Sequence, residues 1–339
     1  MNFSQKIRSL WYGDTLAGRN ARRALKIIVI TGLFIGLFWI VPIREVIIAL
    51  ATADLIYLLP GLLLVLPSVY LGAAQLKLLI RKHSINLSIS QILVINLTIK
   101  FYLLFLPGTL VGSGMRWYKF SQADGKVAES LVAIVFNRLL ETFLVIALGL
   151  GFWALSGEGI FQDKGIGLLV LLSGTIILWF ILTRTSLLMY GWFKSRDLKV
   201  QRPFWQNLLD KFEKLLSAVS AYADFSSLEL FLVVTFGVIR ILLSIVSFQL
   251  LAKSVGIELP FIDMGWIHSV VAMTALLPFS IAGGLGYREV SLIAMLGTFG
   301  ISADLALAFS FLIFTRNVLL GLMGGVLEAV QTIRVRHTS

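Results

Sequence analysis

Long apolar runs are the feature of this amino-acid sequence that most constrains its fold. Six runs are each long enough to cross roughly 30 Å of hydrocarbon as an α-helix: residues 25–41, 55–80, 131–155, 166–182, 228–251 and 305–330. Hydrophobic residues make up 58% of the chain and charged residues only 14%, a composition far from that of a soluble globular domain. The sequence therefore predicts an all-α polytopic membrane protein, with residues 1–339 forming a single membrane domain.

The cysteine, histidine and charge content narrows the function classes. Cysteine is absent, so no disulfide framework, thiolate metal site or thiolate nucleophile can form. His83, His268 and His337 are scattered and give no metal-ligand motif. The net charge of +11 is expected to hold cytoplasmic loops against anionic lipid rather than to bind nucleic acid. We predict no metal, no cofactor and no nucleic-acid partner.

Basic residues outside the apolar runs predict the orientation of the chain. Six of them lie before or at the start of the first run: Lys6, Arg8, Arg19, Arg22, Arg23 and Lys26. Others lie in residues 184–227 and at Arg334 and Arg336. Because cytoplasmic loops carry the excess of lysine and arginine, we expect both termini and residues 184–227 on the cytoplasmic side of the plasma (inner) membrane. Apolar and polar side chains fall on opposite helical faces over residues 203–225, which predicts a cytoplasmic amphipathic helix.

Two shorter apolar segments are predicted to turn back within the membrane. Residues 88–106 leave the cytoplasm and stop at Pro107, and a full crossing there would move the basic residues 184–227 to the outside. We therefore predict a re-entrant hairpin with a short returning helix at residues 115–120. In the second half, residues 265–277 enter from outside, break at Pro278, and a helix at 287–296 returns. The prediction is about six full spans plus two re-entrant helical hairpins.

Both predicted hairpins contain Leu-Pro followed by Gly-x-Gly-x-Arg. The glycines and arginine are Gly112, Gly114 and Arg116 in the first hairpin, and Gly284, Gly286 and Arg288 in the second. Glycine is common in membrane helices, so this pattern alone is weak, but the shared Leu-Pro and the charge argument strengthen it. Three spans and one hairpin per half would invert the second half. Residues 24–155 and 166–330 are thus predicted to form an inverted repeat, as in many transporters.

The broken helices are suited to an anion. Glycines let a ligand approach the backbone, helix N-termini offer unpaired N–H groups, and the guanidinium fork of arginine matches phosphate. Lys100, Arg138, Arg240 and Arg316 also lie near the middles of predicted helices, whereas Glu141 and Glu289 are the clear acids at similar depth. Together with Arg288 these are five buried cations, which would cost on the order of 12–17 kcal/mol if additive, so they cannot all face lipid.

Ion pairing is expected to compensate only part of this charge. Arg138 and Glu141 stand at i and i+3, which predicts a salt bridge on one helix face. Arg288 and Glu289 are neighbours and are expected to point apart toward different partners. The remaining positive charge predicts a cationic cavity for an anionic lipid headgroup. Asn96, Asn137 and Asn317 would extend its lining or serve as interhelical hydrogen-bonding residues.

Three stretches carry a resemblance to a known family: LPGTLVGSGMRWY (residues 106–118), VFNRLLETF (135–143) and LLPFSIAGGLGYREVSL (276–292). The chain resembles, over nearly its whole length, the flippase-like family named for the transmembrane region of lysylphosphatidylglycerol synthase. The resemblance implies a multi-pass fold with re-entrant helices and transfer of lipids between leaflets. It also implies that Arg116, Arg138, Arg288 and Glu289 belong to the polar lipid path.

Two departures from the family pattern shape the expectations. Members that make aminoacylated lipids carry a soluble synthase domain after the membrane region, whereas this sequence ends at Ser339. We therefore expect a stand-alone translocator or the partner of a separate lipid-modifying enzyme. Ser113 and Gly114 also stand where many relatives have an acidic residue before the arginine.

The leading functional prediction is translocation of an anionic, phosphate-bearing lipid between leaflets, without catalytic residues. The predicted headgroup-binding residues are Arg116, Arg288, Glu289, Arg138, Glu141, Lys100, Arg240, Arg316, Gly112, Gly114, Gly284 and Gly286. One alternative is a membrane-embedded transferase acting on lipid-linked substrates, with Glu289 or Glu141 as general base. Another is an ion-coupled carrier of a soluble anion. The expected partners are anionic membrane lipids, with a homo-oligomer as a further alternative.

Overall fold

The computed structural model describes residues 43–106, 109–156, 222, 225–274 and 286–334, and it contains helices but no strand over these residues. In chain order these helices are α1 (Ile43–Thr52), α2 (Leu55–Leu63), α3 (Val65–Arg81), α4 (Ile89–Leu103), α5 (Thr109–Asp124), α6 (Val127–Leu155), α7 (Ser227–Ser254), α8 (Phe261–Thr274), α9 (Tyr287–Gly297) and α10 (Ala303–Arg334). The predicted spans at 25–41 and 166–182 lie outside the described residues. The predicted amphipathic helix at 203–225 also lies outside them, apart from residues 222 and 225.

Four helical stretches of the described chain are long and apolar enough to cross a membrane. They are Leu55–Arg81, which joins α2 and α3, Val127–Leu155, Ser227–Ser254 and Ala303–Gln331. Each coincides with one of the predicted runs. The prediction of an all-helical protein with several membrane-length apolar helices is therefore confirmed over these residues.

Local sequence signals determine where several helices begin. Ser88 precedes α4, where its Oγ accepts the Gln91 N–H at 3.3 Å and its own N–H donates to Gln91 Oε1 at 2.8 Å. Ser226 and Glu229 form the same reciprocal pair at the start of α7, with distances of 3.2 and 3.0 Å. Such capping boxes satisfy donors that the first helical turn leaves free.

The span formed by α2 and α3 is interrupted near its middle. Pro60 lies inside α2 and cannot donate a backbone hydrogen bond, and the helix is interrupted at Leu64 before α3 begins. Ser247 Oγ of α7 donates to the Gly61 carbonyl at 2.6 Å. A Cβ atom at Gly61 would lie only 3.0 Å from Leu251 Cδ2, so the glycine allows α7 to approach this span closely.

Two pairs of short helices lie between the long ones. Helices α4 and α5 have 15 and 16 residues, and α8 and α9 have 14 and 11. At 1.5 Å per residue each is about 16–24 Å long, which is less than the roughly 30 Å of the hydrocarbon core. The two members of each pair pack against one another.

The first returning helix differs from its prediction. Helix α5 already begins at Thr109 rather than near residue 115, so Gly112 and Gly114 lie inside the helix and not in a loop. Gly112 packs so closely on α4 that a Cβ atom there would lie 2.8 Å from Leu103 Cδ1. A glycine inside a helix costs roughly 1 kcal/mol relative to alanine, and here it permits the close approach of α4. In the second pair, Gly286 precedes α9 with φ of +96°, a conformation that favours glycine.

The helices pack in a reciprocal pattern. Helix α4 packs along α10, and α8 packs along α6. Helices α3 and α7 contact each other, and the contact of α5 with α6 matches that of α9 with α10. Two similarly packed halves would produce this pattern. The inverted repeat itself stays a prediction, because the segments at 25–41 and 166–182 lie outside the described residues.

Small residues and one buried ion pair hold α10 against the first short-helix pair. A Cβ atom at Gly324 would lie 1.9 Å from the Leu97 carbonyl oxygen of α4, so only glycine permits this helix contact, as is common between membrane helices. Lys119 Nζ of α5 lies 2.9 Å from Glu328 Oε2 of α10. Glu328 is buried.

Candidate functional site

A cavity of about 310 Å³ lies among α6, α7, α8, α9 and α10. Four arginines from four of these helices line it: Arg138 of α6, Arg240 of α7, Arg288 of α9 and Arg316 of α10. Glu141 is the carboxylate among its described lining residues. We call this the arginine cavity. Its volume is at the lower end of the roughly 300–1,000 Å³ of ligand cavities.

Glu141 forms its ion pair across two helices. Its Oε1 lies 3.5 Å from Arg240 Nη2 and accepts a hydrogen bond of 3.0 Å from Asn137 Nδ2. The predicted Arg138–Glu141 salt bridge is wrong, because the carboxylate lies between Asn137 on its own helix and Arg240 on α7. Arg138 interacts with Glu141 only at longer range, and it makes no ion pair with any residue that the structure describes.

Arg288 and Glu289 meet at one hydroxyl group. Arg288 Nη2 lies 2.8 Å from Glu289 Oε1, and Arg288 Nε donates to Ser310 Oγ at 2.8 Å. Ser310 Oγ in turn donates to Glu289 Oε1 at 2.6 Å. The expectation that these two neighbours point apart is wrong. Glu289 occupies the third position of α9, and its Oε2 reaches back to accept the Gly286 N–H, which brings the carboxylate toward Arg288.

This arrangement changes what a ligand could contact at the start of α9. The sequence assigned the free N–H groups of this helix end to an anionic ligand, but the Glu289 carboxylate already accepts the Gly286 N–H. Arg288 is only 5% exposed, and its Nη1 has no hydrogen-bond partner among the described residues. Glu289 therefore occupies one N–H group at this helix end, and Arg288 Nη1 is a further donor there without a partner in the described part of the chain.

Other buried polar groups of the cavity residues also have no partner within the described ranges. Arg316 Nη1 donates to Ser247 Oγ at 2.9 Å, but Arg316 Nε and Arg240 Nε have no partner in the described part of the chain. His268 Nε2 and Ser244 Oγ share a 2.9 Å hydrogen bond, while His268 Nδ1, which donates or accepts according to the tautomer, has no partner among the described residues. An unpaired buried polar group costs about 1–3 kcal/mol, and more when charged. The two guanidinium donors would therefore favour an anionic ligand or bound water.

Lys100 and Arg116 lie beside the arginine cavity but outside its lining. Arg116 interacts electrostatically with Glu141, Arg138 and Arg240, and Lys100 interacts with Arg316, Arg116, Arg240 and Glu141. Six cations and the two carboxylates Glu141 and Glu289 are thus close together, with positive charge in excess.

The structure brings most of the predicted site residues together. Arg138, Glu141, Arg240, Arg288 and Arg316 line the cavity, and Glu289 is bonded to Arg288. Gly286 acts through the Glu289 contact, whereas Gly112 packs on α4 and Gly114 has no atom within 4 Å of a Cβ position. Gly284 lies outside the described residues. Among the described residues no three His, Asp or Glu side chains come together to hold a metal ion.

Sequence reasoning missed several polar lining residues, namely Thr142, Ser244, His268, Thr274 and Tyr287. Helical spacing could have identified two of them. Ser244 is four residues after Arg240, and Thr142 is four residues after Arg138, so each lies on the same helix face as an arginine. His268 has no such neighbour on α8, and its position in the cavity depends on tertiary packing.

Comparison with protein families agrees with the architecture. Residues 23–325 match the family model described as the lysylphosphatidylglycerol synthase TM region. No curated protein and no solved structure shows significant similarity to the chain. The match covers most of the chain, including every residue that lines the arginine cavity. The protein therefore belongs to the family of the lysylphosphatidylglycerol synthase TM region.

Proposed function

We propose that this protein moves an anionic, phosphate-bearing lipid between the leaflets of the membrane through the arginine cavity. The observation that carries the proposal is the convergence of Arg138, Arg240, Arg288 and Arg316, from four helices, on one cavity. Its volume of about 310 Å³ accommodates a small headgroup. Both chain termini are proposed to be cytoplasmic, in the plasma membrane.

Phosphate is the ligand chemistry that fits these donors best. A phosphate offers several acceptor oxygens and full negative charge, and guanidinium groups bind it through paired N–H donors. Arg240, Arg288 and Arg316 each have a buried donor nitrogen without a described partner. A neutral headgroup would leave this excess of charge uncompensated.

Glu141 and Glu289 keep the arginines in position when no ligand is bound. Glu141 pairs with Arg240 at 3.5 Å, and Glu289 pairs with Arg288 at 2.8 Å. A buried guanidinium without any counter-charge would be costly. The two acids lower that cost but leave positive charge for a headgroup.

The short-helix pairs α4–α5 and α8–α9 are proposed to be the two re-entrant hairpins of a six-span fold. Their lengths of about 16–24 Å support this arrangement. So does the position of Arg288 in the first turn of α9, at the cavity wall. A headgroup would pass through the polar interior, while the hydrocarbon chains stay outside the arginine cavity.

Vesicle reconstitution tests the proposal. Purified protein is placed in vesicles of choline lipid that contain a headgroup-labelled phosphatidylglycerol, and a membrane-impermeant quencher reports its movement between leaflets. We expect Arg316→Ala and Arg240→Ala to slow this movement about tenfold or more, because each removes a charge-assisted contact worth roughly 1.5–3 kcal/mol. Arg81→Ala is the matched control, since Arg81 is an exposed residue at the end of α3.

The same vesicles separate transport from the alternatives. Wild-type rates in Arg316→Ala and Arg240→Ala would remove the cavity from the mechanism. Mass spectrometry of the recovered lipid detects any covalent change, which would favour the transferase alternative. Uptake of labelled inorganic phosphate without movement of lipid would favour the carrier of a soluble anion.

A further inference from the structure

A second cavity, of about 540 Å³, adjoins the arginine cavity. It lies between α6 and α8 and extends to the end of α9. On α6 it is lined by Ile146, Gly149, Leu150 and Trp153, and on α8 by Trp266, Ser269, Val270 and Met273. We call this the apolar cavity. Both helices present residues at the i, i+3, i+4 and i+7 spacing of a single helix face.

We propose that the apolar cavity binds one hydrocarbon chain of the lipid whose phosphate headgroup occupies the arginine cavity. This inference rests on the proposed function and extends it from the headgroup to the chain. It makes the apolar cavity a second binding site of the same ligand, specific for an acyl or prenyl chain.

Three polar side chains in the wall of the apolar cavity already have hydrogen-bond partners. Ser269 Oγ donates to the Gly265 carbonyl at 3.0 Å, and Thr298 Oγ1 donates to the Met295 carbonyl at 2.7 Å. Trp266 Nε1 donates to Asp263 Oδ1 at 3.4 Å. These groups therefore require nothing from an occupant, in contrast to the free guanidinium nitrogens of the arginine cavity. An apolar chain can fill such a space without leaving a buried polar group unpaired.

Met273 connects the two cavities. It is the residue that lines both of them, and it is 41% exposed. Methionine side chains are flexible and adapt to irregular apolar surfaces. On α6, residues between Arg138 and Val145 line the arginine cavity, and residues between Ile146 and Trp153 line the apolar cavity. The second set begins eight residues after the first, which is about 12 Å along the helix. A lipid with its phosphate near Arg288 could therefore extend a chain past Met273.

A photoreactive lipid tests this placement. The full-length protein is reconstituted in choline-lipid vesicles with a phosphatidylglycerol that carries a diazirine on one acyl chain, illuminated, digested and mapped by mass spectrometry. We expect adducts on residues 146–153 and 266–273. A diacylglycerol with the same diazirine chain, which lacks the phosphate, should label these residues about tenfold less.

Matched variants control for general contact with lipid. Leu150→Trp fills the apolar cavity from α6 and should lower its labelling severalfold, and Val270→Phe should do the same from α8. Leu139→Trp makes the same change at a residue of α6 that is 40% exposed and lines neither cavity, and it should leave the labelling unchanged. Unfolding measurements on each variant confirm that the protein is intact.

The outcomes separate this inference from the proposed function. Labelling confined to outward-facing residues, equal labelling by the two probes, or no effect of either cavity-filling variant would overturn the inference. If lipid still moved between leaflets in a manner sensitive to Arg316→Ala, the proposed function would survive that failure. Cavity labelling by the phosphate lipid without any movement between leaflets would instead retain the binding site and contradict the transport function.

Discussion

The two short-helix pairs carry the same glycine–arginine motif but use it differently. In α8–α9, Gly286 turns with φ of +96°, and Arg288 in the next turn is paired with Glu289 and lines the arginine cavity. In α4–α5, Gly114 lies inside a continuous helix, and Arg116 has no ion pair with a described residue. The second pair therefore provides its own counter-charge, whereas the first depends on Glu141 of α6.

The residue after each arginine explains much of this difference. Glu289 follows Arg288 and caps its own helix. Trp117 follows Arg116, and its Nε1 donates to the Val127 carbonyl of α6 at 2.8 Å. The acid after Arg288 neutralises that arginine locally, whereas the aromatic residue after Arg116 links α5 to α6 by a hydrogen bond. The shared motif thus places both arginines at or beside the arginine cavity, but only Arg288 pairs with the residue that follows it.

The largest expected effect is on stability at Arg288. Arg288→Ala leaves the Glu289 carboxylate without its guanidinium, and breaking a buried ion pair costs about 3–5 kcal/mol of unfolding free energy. Arg116→Ala removes no such pair and should cost far less. Denaturant unfolding in detergent measures both. Arg288→Met combined with Glu289→Gln should recover part of the loss, and an equal loss for Arg288→Ala and Arg116→Ala would contradict the comparison.

An intermediate effect on stability is expected for changes at the motif glycines Gly286 and Gly114. Gly286→Ala forces a side chain into the left-handed region and should cost about 1–3 kcal/mol. Gly114→Ala lies in a helix with open space at the Cβ position, so it should be neutral or stabilising by up to about 1 kcal/mol. Thermal unfolding of the two variants compares them directly. A larger loss for Gly114→Ala would show that the first glycine is the one with a special conformation.

The smallest effect on stability is expected for a change at Trp117. Trp117→Phe keeps an aromatic ring but removes the hydrogen bond to the Val127 carbonyl, at a cost of about 0.5–1.5 kcal/mol. Hydrogen exchange at the start of α6 should increase, with little change at α9. Equal exchange at both places would indicate that the bond does not fasten α5 to α6.

Local patterns in the sequence predicted the long helices but not their ion pairs. The apolar runs at 55–80 and 228–251 coincide with α2–α3 and α7, because length and hydrophobicity are properties of each segment alone. The partner of Glu141 is Arg240, on a helix far along the chain. No spacing rule within one helix could identify it.

The two errors at the motifs have distinct physical causes. Gly112 was expected in a loop, but it lies inside α5, where the missing side chain lets the helix approach Leu103 of α4 closely. Glu289 was expected to point away from Arg288. Its position in the first turn of α9 instead lets its carboxylate cap the helix and also pair with Arg288. The Gly112 contact forms only when α4 and α5 pack, whereas the Glu289 cap is local to the start of α9.

The most direct test of the account is a density map of the protein in lipid bilayers that contain an anionic phospholipid. The account predicts a phosphate in the arginine cavity, with oxygens about 3 Å from Arg288 Nη1 and from the guanidinium groups of Arg240 and Arg316. A cavity that holds only water, with every phosphate at the two membrane surfaces, would contradict it.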